Sequence, residues 1–272
     1  MKILIATPAY GSVVYSVYHD AVLKTVAFFN ANFPGIEFES HIMSISMVTT
    51  ARNLFASRVL NDPSFTHLLF IDADMGFQPS LIARMLSLQR PVVGIIAPQR
   101  KLDFESYHLA RAKTDRPALA RVIANEYVSG DALLTQPGSD GKPKITVTDG
   151  FVRVTHCGTG IMLIERGVLE AMRDRYPALH VPAGNERIRK MGVAEGGVLL
   201  QCFNPANDQY GIALGEDVSF CLRWSSDMGG EIWANVDEPI VHVGQENHTG
   251  HFLTKLSHSP VTLDIVETAT ED

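Results

Sequence analysis

Two aspartates, Asp72 and Asp74, stand one residue apart at the end of an apolar run over residues 68–71. An unbroken apolar run of this length is typical of a parallel strand that is covered on both faces. Alternate residues of an extended segment point the same way, so both carboxylates can converge on one divalent cation or its bound water. The structural alternative is that Asp74 or Ser80 precedes and caps a helix over residues 81–88.

Two further positions carry charged side chains suited to a polar site. Arg52 lies in the first turns of a predicted helix, where a guanidinium can hold a carboxylate or phosphate through two parallel hydrogen bonds. Most helical arginines only face solvent, and that alternative stays open. Asp217, beside Glu216, opens another predicted helix and either caps it or acts as a general base toward a hydroxyl.

Histidines close to the C-terminus could complete a metal site. His242 alternates with apolar neighbours on a short predicted strand. An imidazole added to two carboxylates suits Mn²⁺ better than Ca²⁺, although a histidine at a strand edge is more often structural. His248 and His251 lack the further ligands that a zinc site needs.

Two loops offer backbone to a ligand. Residues 7–12 follow the first predicted strand and either hold a base and ribose or form an ordinary strand-to-helix turn. The candidate ligand contacts in this loop are Thr7, Pro8 and Tyr10. Glycines also interrupt a later β-rich run, where they allow either the close approach of a ligand or a tight hairpin. The candidate contacts there are Gly158, Thr159 and Gly160.

Strands and helices alternate through the first hundred residues. The hydrophobic periodicity predicts strands over residues 2–6, 36–43, 67–71 and 91–97, and helices over 13–30, 49–60 and 79–88. The second helix is expected to start with Thr49 or Thr50 as its N-cap. This order indicates a mostly parallel sheet, which binds ligands at the carboxyl ends of its strands.

The pattern changes after residue 100. Residues 100–150 contain proline and glycine breakers and a basic cluster, so they form either a mobile flap or a small excursion. A hairpin is predicted around Asp149, with arms over residues 144–148 and 152–155. Further strands are predicted over residues 159–164, 231–234 and 240–243, helices over 166–175 and 217–228, and a loop over 182–197.

Composition limits the class of protein. A chain of 272 residues that is 46% hydrophobic and 19% charged is typical of a globular protein with one large domain, or with one domain and a small subdomain. It contains no apolar run long enough for a membrane span, and its first apolar stretch is too short for a signal peptide. Three cysteines without metal spacing favour the cytoplasm, and a net charge of −7 argues against a broad nucleic-acid-binding face.

The order of these motifs resembles that of the GT-A glycosyltransferases, over about residues 1–250. The resemblance is closest to the family-2-like members, with some similarity to the mannan-polymerase mannosyltransferases. It rests on the loop after strand one, Ala51-Arg52-Asn53, Asp72-Ala73-Asp74, Gly158-Thr159-Gly160, Gly215-Glu216-Asp217 and His242. It implies an α/β, GT-A-like fold, an open, mostly parallel sheet flanked by helices, with a small antiparallel β excursion.

The resemblance also implies a division of the chain. One catalytic domain would cover residues 1–260, with a nucleotide-binding half over 1–98 and an acceptor or catalytic half over 150–255. Residues 100–150 match no known part of the family, so the choice between a flap and a small excursion stays open for them. Residues 261–272 would be a loosely held tail.

A metal-dependent glycosyltransferase is the activity that the resemblance implies. Such an enzyme moves a sugar from a UDP- or GDP-sugar to an acceptor hydroxyl with Mn²⁺ or Mg²⁺. By resemblance Asp74 would bind the metal, Asp72 would lie near the ribose or the metal's water, and His242 would be the C-terminal histidine. His248 is the alternative if the strand register differs.

The remaining site residues also take roles by resemblance. If the enzyme inverts the configuration of the sugar, Asp217 would be the base that activates the acceptor, with Glu216 as its neighbour; the sequence leaves inversion and retention open. Arg52 would touch the nucleotide's base or the diphosphate. The acceptor stays open among a glycan, a lipid-linked glycan, a protein and a modified nucleobase. A nucleotidyltransferase and a non-catalytic nucleotide-sugar-binding protein remain alternatives. A haloacid-dehalogenase-type phosphatase is disfavoured because two predicted strands precede the aspartates.

Overall fold

The computed structural model describes residues 1–137, 142–184 and 186–244. The strands are β1 (Lys2–Pro8), β2 (Glu37–Met43), β3 (His67–Ile71), β4 (Met75–Gly76), β5 (Val92–Ile95), β6 (Pro98–Leu102), β7 (Asn125–Tyr127), β8 (Gln136–Pro137), β9 (Pro143–Lys144), β10 (Phe151–Val154), β11 (Ile161–Glu165), β12 (His180–Pro182), β13 (Val198–Leu200), β14 (Ile232–Asn235) and β15 (Val241–His242). The helices are α1 (Ser16–Asn32), α2 (Val48–Asn61), α3 (Pro79–Ser87), α4 (Phe104–Arg111), α5 (Pro117–Ala124), α6 (Arg166–Arg175), α7 (Glu186–Lys190) and α8 (Glu216–Leu222).

Seven of the described strands form one sheet, in the order β10-β14-β5-β11-β3-β1-β2. Five of them run in one direction, whereas β10 and β11 run in the other. Four small two-stranded sheets, β4 with β15, β6 with β7, β8 with β9 and β12 with β13, are antiparallel. The predicted fold class, a mostly parallel α/β sheet with a small antiparallel excursion, is therefore confirmed.

Helices cover both faces of this sheet. On β1, Ile3 and Ile5 pack with residues of α1 and α3, whereas Leu4 and Ala6 pack with residues of α2, α6 and α8. Successive side chains of a strand point to opposite faces, so a strand that is covered on both faces must be apolar throughout. The unbroken apolar runs in the sequence follow from this layering.

The reversed strand β11 sets up the functional edge of the sheet. It lies between β3 and β5 and pairs Ile161 with Ile71. Residues just before β11 therefore stand beside residues just after β3, and the N–H of Asp72 donates to the carbonyl of Gly160 at 2.8 Å. We call this the site edge: it is formed by the carboxyl ends of β1, β3 and β5 and the amino end of β11.

Three local predictions are wrong. Met47 occupies the N-cap position of α2, so neither threonine after it caps the helix. Gln78 precedes α3, whose first residue is Pro79, so neither Asp74 nor Ser80 caps that helix. A proline at the first helical position supplies a fitting φ without needing an N–H partner. The predicted loop over residues 182–197 contains the short helix α7.

The predicted hairpin around Asp149 forms only at its turn. Asp149 and Gly150 have φ values of 50° and 81°, and Thr148 and Phe151 exchange two hydrogen bonds of 2.8 Å. Beyond the turn the two arms separate, because β10 pairs with β14 and β9 pairs with β8. Positive φ at both turn positions suits a two-residue turn, but pairing with the main sheet outcompetes a longer hairpin.

The segment of residues 100–150 contains more structure than a loop. Helices α4 and α5 pack together through Ala110, Ala120 and Ala124, and β6 pairs with β7 beneath them. Movement of this segment stays a prediction, as do the proposed halves of the domain. His248, His251 and the predicted tail over residues 261–272 lie outside the described residues.

Two further findings bear on the class of protein. Within the described ranges, no helix combines the length and the apolar character needed to cross a bilayer. The three cysteines, Cys157, Cys202 and Cys221, all lie in those ranges, where they are buried and form no disulfide.

Candidate functional site

Arg52 is the buried centre of the site. It projects from α2 with a side chain that is only 4% exposed. Its Nη2 donates to both carboxylate oxygens of Asp72, at 3.1 and 3.3 Å, and its Nε donates to Oε1 of Glu216 at 3.2 Å. Two carboxylates thus neutralise one buried guanidinium, as burial of a charge requires. The prediction that Arg52 also touches a base or diphosphate stays open.

A different set of groups surrounds Asp74. The Nη1 of Arg100 lies 3.0 Å from Oδ2 of Asp74, and Nε2 of His242 lies 3.6 Å from the same oxygen. Asp74 is 14% exposed, whereas the side chain of Arg100 is 61% exposed. The two aspartates, although separated by one residue, therefore face different partners.

The orientation of His242 is fixed by the backbone. Its Nδ1 donates to the carbonyl of Pro98 at 2.8 Å, which leaves Nε2 facing Asp74. Pairing of β15 with β4 places His242 opposite Met75, directly after the two aspartates. The N–H of Val243 also donates to the carbonyl of Asp74 at 3.0 Å. The predicted late strand is confirmed, and these contacts explain its position.

Two cavities open at the site edge. The glycine cavity, of about 210 Å³, is lined by Arg52, Asp72, Gly158, Gly160, Glu216 and Asp217. Thr159 and His242 also line it. The glycine run therefore faces a cavity. The tight-hairpin interpretation is wrong, since β10 and β11 are not neighbours in the sheet.

The second cavity lies along the loop after β1. This loop cavity, of about 450 Å³, is lined by Pro8, Tyr10, Tyr15, Ser46, Asp72 and Asp74. The structure places Pro8 and Tyr10 at the cavity but not Thr7, whose buried hydroxyl shares a 2.6 Å hydrogen bond with that of Tyr18. Thr7 therefore supports α1 from beneath the loop, because its polar group is already satisfied.

Burial raises the pKa of Asp72 and Asp217, which both line the glycine cavity. Burial raises the pKa of Asp72 above its usual value, although the adjacent Arg52 opposes the change. Burial likewise raises the pKa of Asp217; Glu216 adds to this shift, and a hydrogen bond from the N–H of Val218 opposes it. Glu216 and Asp217 lie in the first turn of α8 after its N-cap, Gly215, so Asp217 is not the cap.

Asp74 and His242 shift in the directions expected of an ion pair. Burial would raise the pKa of Asp74, but the contacts with His242 and Arg100 outweigh it and hold the pKa below its usual value. Burial would lower the pKa of His242, but Asp74 and the Pro98 carbonyl outweigh that effect and raise it. The surroundings of Asp74 thus favour a carboxylate beside a positive charge.

The donor set at Asp74 fits a divalent cation that also has ligands from a bound anion. Within the described residues, no three His, Cys, Asp or Glu side chains gather closely enough to hold a metal alone. Asp74 and His242 supply one oxygen and one nitrogen, and the Pro98 carbonyl orients the histidine from behind, as is usual for metal-binding histidines. The guanidinium of Arg100 already holds a positive charge at Asp74.

Arg100 is the site residue that the sequence motifs miss. It follows β5 at the same sheet edge and lines both the glycine cavity and the loop cavity. Its place among many arginines between residues 84 and 121 hides it, although its position after β5 is a usable signal. Tyr15, which lines the loop cavity, is held next to the two aspartates by its backbone: its N–H donates to the carbonyl of Ala73 at 2.9 Å.

Comparisons with known proteins give distant structural similarities. No protein-family model and no curated protein matches the chain. The chain is similar to A197 from STIV, at 15% identity over 92% of this chain and 99% of the other, with a TM-score of 0.40. It is also similar to a glycosyltransferase involved in glycosylation of the major capsid of PBCV-1, at 11% identity over 65% and 66%, with a TM-score of 0.31. A putative glucose-1-phosphate thymidylyltransferase from Bacillus anthracis matches at 12% identity over 89% and 88%, with a TM-score of 0.35. The similar structures thus include both glycosyl- and nucleotidyltransferases.

Proposed function

We propose that this chain is a metal-dependent glycosyltransferase that moves a sugar from a UDP- or GDP-sugar to an acceptor hydroxyl. One observation carries the proposal: Asp74, with Nε2 of His242 3.6 Å from its carboxylate, and the half-buried carboxylate of Asp217 border adjoining cavities at the carboxyl edge of the sheet. Open α/β sheets bind ligands at this edge.

The two cavities would bind different parts of the nucleotide-sugar donor. In this proposal the base and ribose occupy the loop cavity beside Tyr10, and the sugar enters the glycine cavity beside Asp217. Asp72 and Arg100 line both cavities, so the diphosphate lies between them. Gly158 suits this placement, because a side chain there would meet Val128 at 3.1 Å and would narrow the cavity near Asp217.

Asp74 and His242 would hold Mn²⁺ or Mg²⁺, with further ligands from the diphosphate. A bound divalent cation neutralises the charge that develops on a diphosphate leaving group and helps to orient it. Arg100 contributes a second positive charge at the same place. Its exposed guanidinium can move from the carboxylate of Asp74 to the phosphate oxygens without leaving a buried charge unpaired.

Asp217 serves as the base. Its carboxylate accepts the proton of the acceptor hydroxyl as the oxygen bonds to the anomeric carbon, and the bond from that carbon to the diphosphate breaks. Arg52 keeps Glu216 in place beside Asp217, holds Asp72 near the donor and opposes the effect of burial on the pKa of Asp72. Because the Arg52 group is buried, it positions these side chains from within the protein.

Product analysis tests this function. The chain is incubated with UDP- and GDP-sugars and Mn²⁺, with and without pyrophosphate, and the nucleotide products are separated. A glycosyltransferase releases the nucleoside diphosphate, whereas a nucleotidyltransferase running in reverse with pyrophosphate makes a nucleoside triphosphate. Release of UDP or GDP that stops with EDTA and with Asp217→Asn supports the proposal. Formation of triphosphate, or binding without turnover, contradicts it.

A further inference from the structure

A third cavity, which we call the basic cavity, lies behind the proposed metal-binding pair. Its volume is about 440 Å³, and its lining includes Arg100, Lys101, Arg121, Asn125, Ile240 and His242. Three of these side chains are cationic. Arg100 and His242 also line the glycine cavity, so the two cavities share one wall.

The walls of the basic cavity are firmly joined. The hydrogen bond from His242 to the Pro98 carbonyl ties β15 to β6. At Gly244 a Cβ atom would lie 2.6 Å from the carbonyl oxygen of Arg100, so the two backbones approach as closely as only glycine permits. The third wall is formed by Arg121 on α5 and by Asn125 just after it.

Arg100 pairs with Asp74, but the other two cations of the basic cavity, Lys101 and Arg121, have no ion-pair partner within the described residues. Residues 100–124 carry six basic and three acidic side chains, in a chain whose net charge is −7. Two unpaired cations beside Arg100 in an acidic protein favour binding of an anion, and a phosphate group accepts several such contacts at once.

We infer that the basic cavity binds a phosphate or diphosphate group of the acceptor, which makes the acceptor an anionic, phosphate-bearing molecule. The inference rests on the proposed function, because the shared wall at Arg100 and His242 sets this group beside the reacting sugar. The phosphate can belong to a lipid headgroup or to a soluble sugar phosphate. A lipid is favoured because α5 exposes Leu119, Val122 and Ile123 next to Arg121.

The test measures binding of inorganic pyrophosphate by calorimetry. EDTA is present to remove divalent cations, so that pyrophosphate cannot bind at the proposed metal-dependent donor site. The wild-type chain is compared with the double variant Lys101→Gln/Arg121→Gln. The matched control, Lys113→Gln/Arg116→Gln, removes the same charge from the same helical hairpin outside the cavity. Two lost charged hydrogen bonds should weaken binding about tenfold or more, and the control should stay within about twofold.

Two further arms identify the source of the phosphate. Phosphatidylcholine vesicles with and without a polyprenyl phosphate report a lipid acceptor, and glucose 1-phosphate reports a soluble one. Binding of either that falls in the double variant but not in the control supports the inference. Equal binding by the double variant and the wild type, or no binding of any phosphate probe, overturns it. UDP binding by the wild type with Mn²⁺ tests the proposed function separately, so the two failures are distinguishable.

Discussion

Arg52 and Asp72 face each other at 3.1 Å, although twenty residues separate them along the chain. Because Arg52 also binds Glu216, this contact joins α2, the end of β3 and the start of α8 around one buried guanidinium. Asp72 is thereby held by the buried Arg52, whereas Asp74 contacts Arg100 and His242. In the proposed function, Asp72 belongs to the framework of the site and Asp74 is the residue that binds the metal.

Asp74→Asn should abolish metal-dependent nucleotide binding. In the wild type, UDP or GDP at about 100 times its dissociation constant with Mn²⁺ should stabilise the fold by about 2.7 kcal/mol. The amide removes the negative charge that attracts the cation, so the shift in unfolding temperature should vanish. Asp20→Asn, at an exposed carboxylate on α1, is the control and should keep the shift. An unchanged shift in Asp74→Asn would remove this residue from the metal site.

Arg52→Met should destabilise the protein strongly. It leaves Asp72 and Glu216 as partly buried carboxylates without a counter-charge, which costs about 3 kcal/mol by comparison with broken buried ion pairs. Arg58→Met is the control, because the side chain of Arg58 is 38% exposed where it pairs with Glu39, and it should cost at most about 1 kcal/mol. Denaturant unfolding measures both losses, and similar values for the two variants would mean that Arg52 is not central.

The Arg52 cluster also marks the limit of prediction from sequence. Local patterns suffice for β3 and α6, whose apolar periods match their burial in the layered core. The same patterns cannot show that β11 runs antiparallel between β3 and β5, because that depends on pairing across the whole sheet. Gly160 meets Asp72 only through this reversal.

The candidate site likewise contains residues that the sequence suggests and residues that only the fold shows. Asp74, Asp217 and His242 are found from sequence because their residue types and positions after strands suggest chemistry. Arg100 is missed because its significance lies in a contact with Asp74, which stands 26 positions earlier in the sequence. Thr7 does not line the loop cavity, and only the fold shows that its hydroxyl shares a hydrogen bond with that of Tyr18.

The pH dependence of turnover should report Asp217. The base must be ionised, and burial raises the pKa of Asp217 above the ordinary value of 3.8. As the pH is lowered, kcat/KM should therefore begin to fall at a higher pH than it would with an exposed aspartate as the base. Glu216 raises this pKa further by its charge, while Arg52 and the N–H of Val218 lower it. Glu216→Gln should therefore move the acidic limb to lower pH. A limb that does not move, or moves up, would argue against Asp217 as the base.

Gly94→Ala should destabilise the core beneath the glycine cavity. A Cβ at this position of β5 would lie 2.4 Å from Sγ of Cys157, which is buried just before the glycine run. Overpacking of this kind costs about 1–3 kcal/mol. In the double variant Gly94→Ala/Cys157→Ala the sulfur is gone, and Gly94→Ala should then add little to the cost of Cys157→Ala. Strictly additive losses in denaturant unfolding would show that the two sites do not compete for space.

The most direct test of the central claim is the position of manganese in a crystal grown with UDP or GDP, located by anomalous diffraction. The account predicts an ion bound to the carboxylate of Asp74 and to Nε2 of His242, with the diphosphate completing its ligands and Arg100 moved from Asp74 to the phosphates. Manganese bound away from both residues, with Arg100 still paired to Asp74 beside the bound nucleotide, would contradict it.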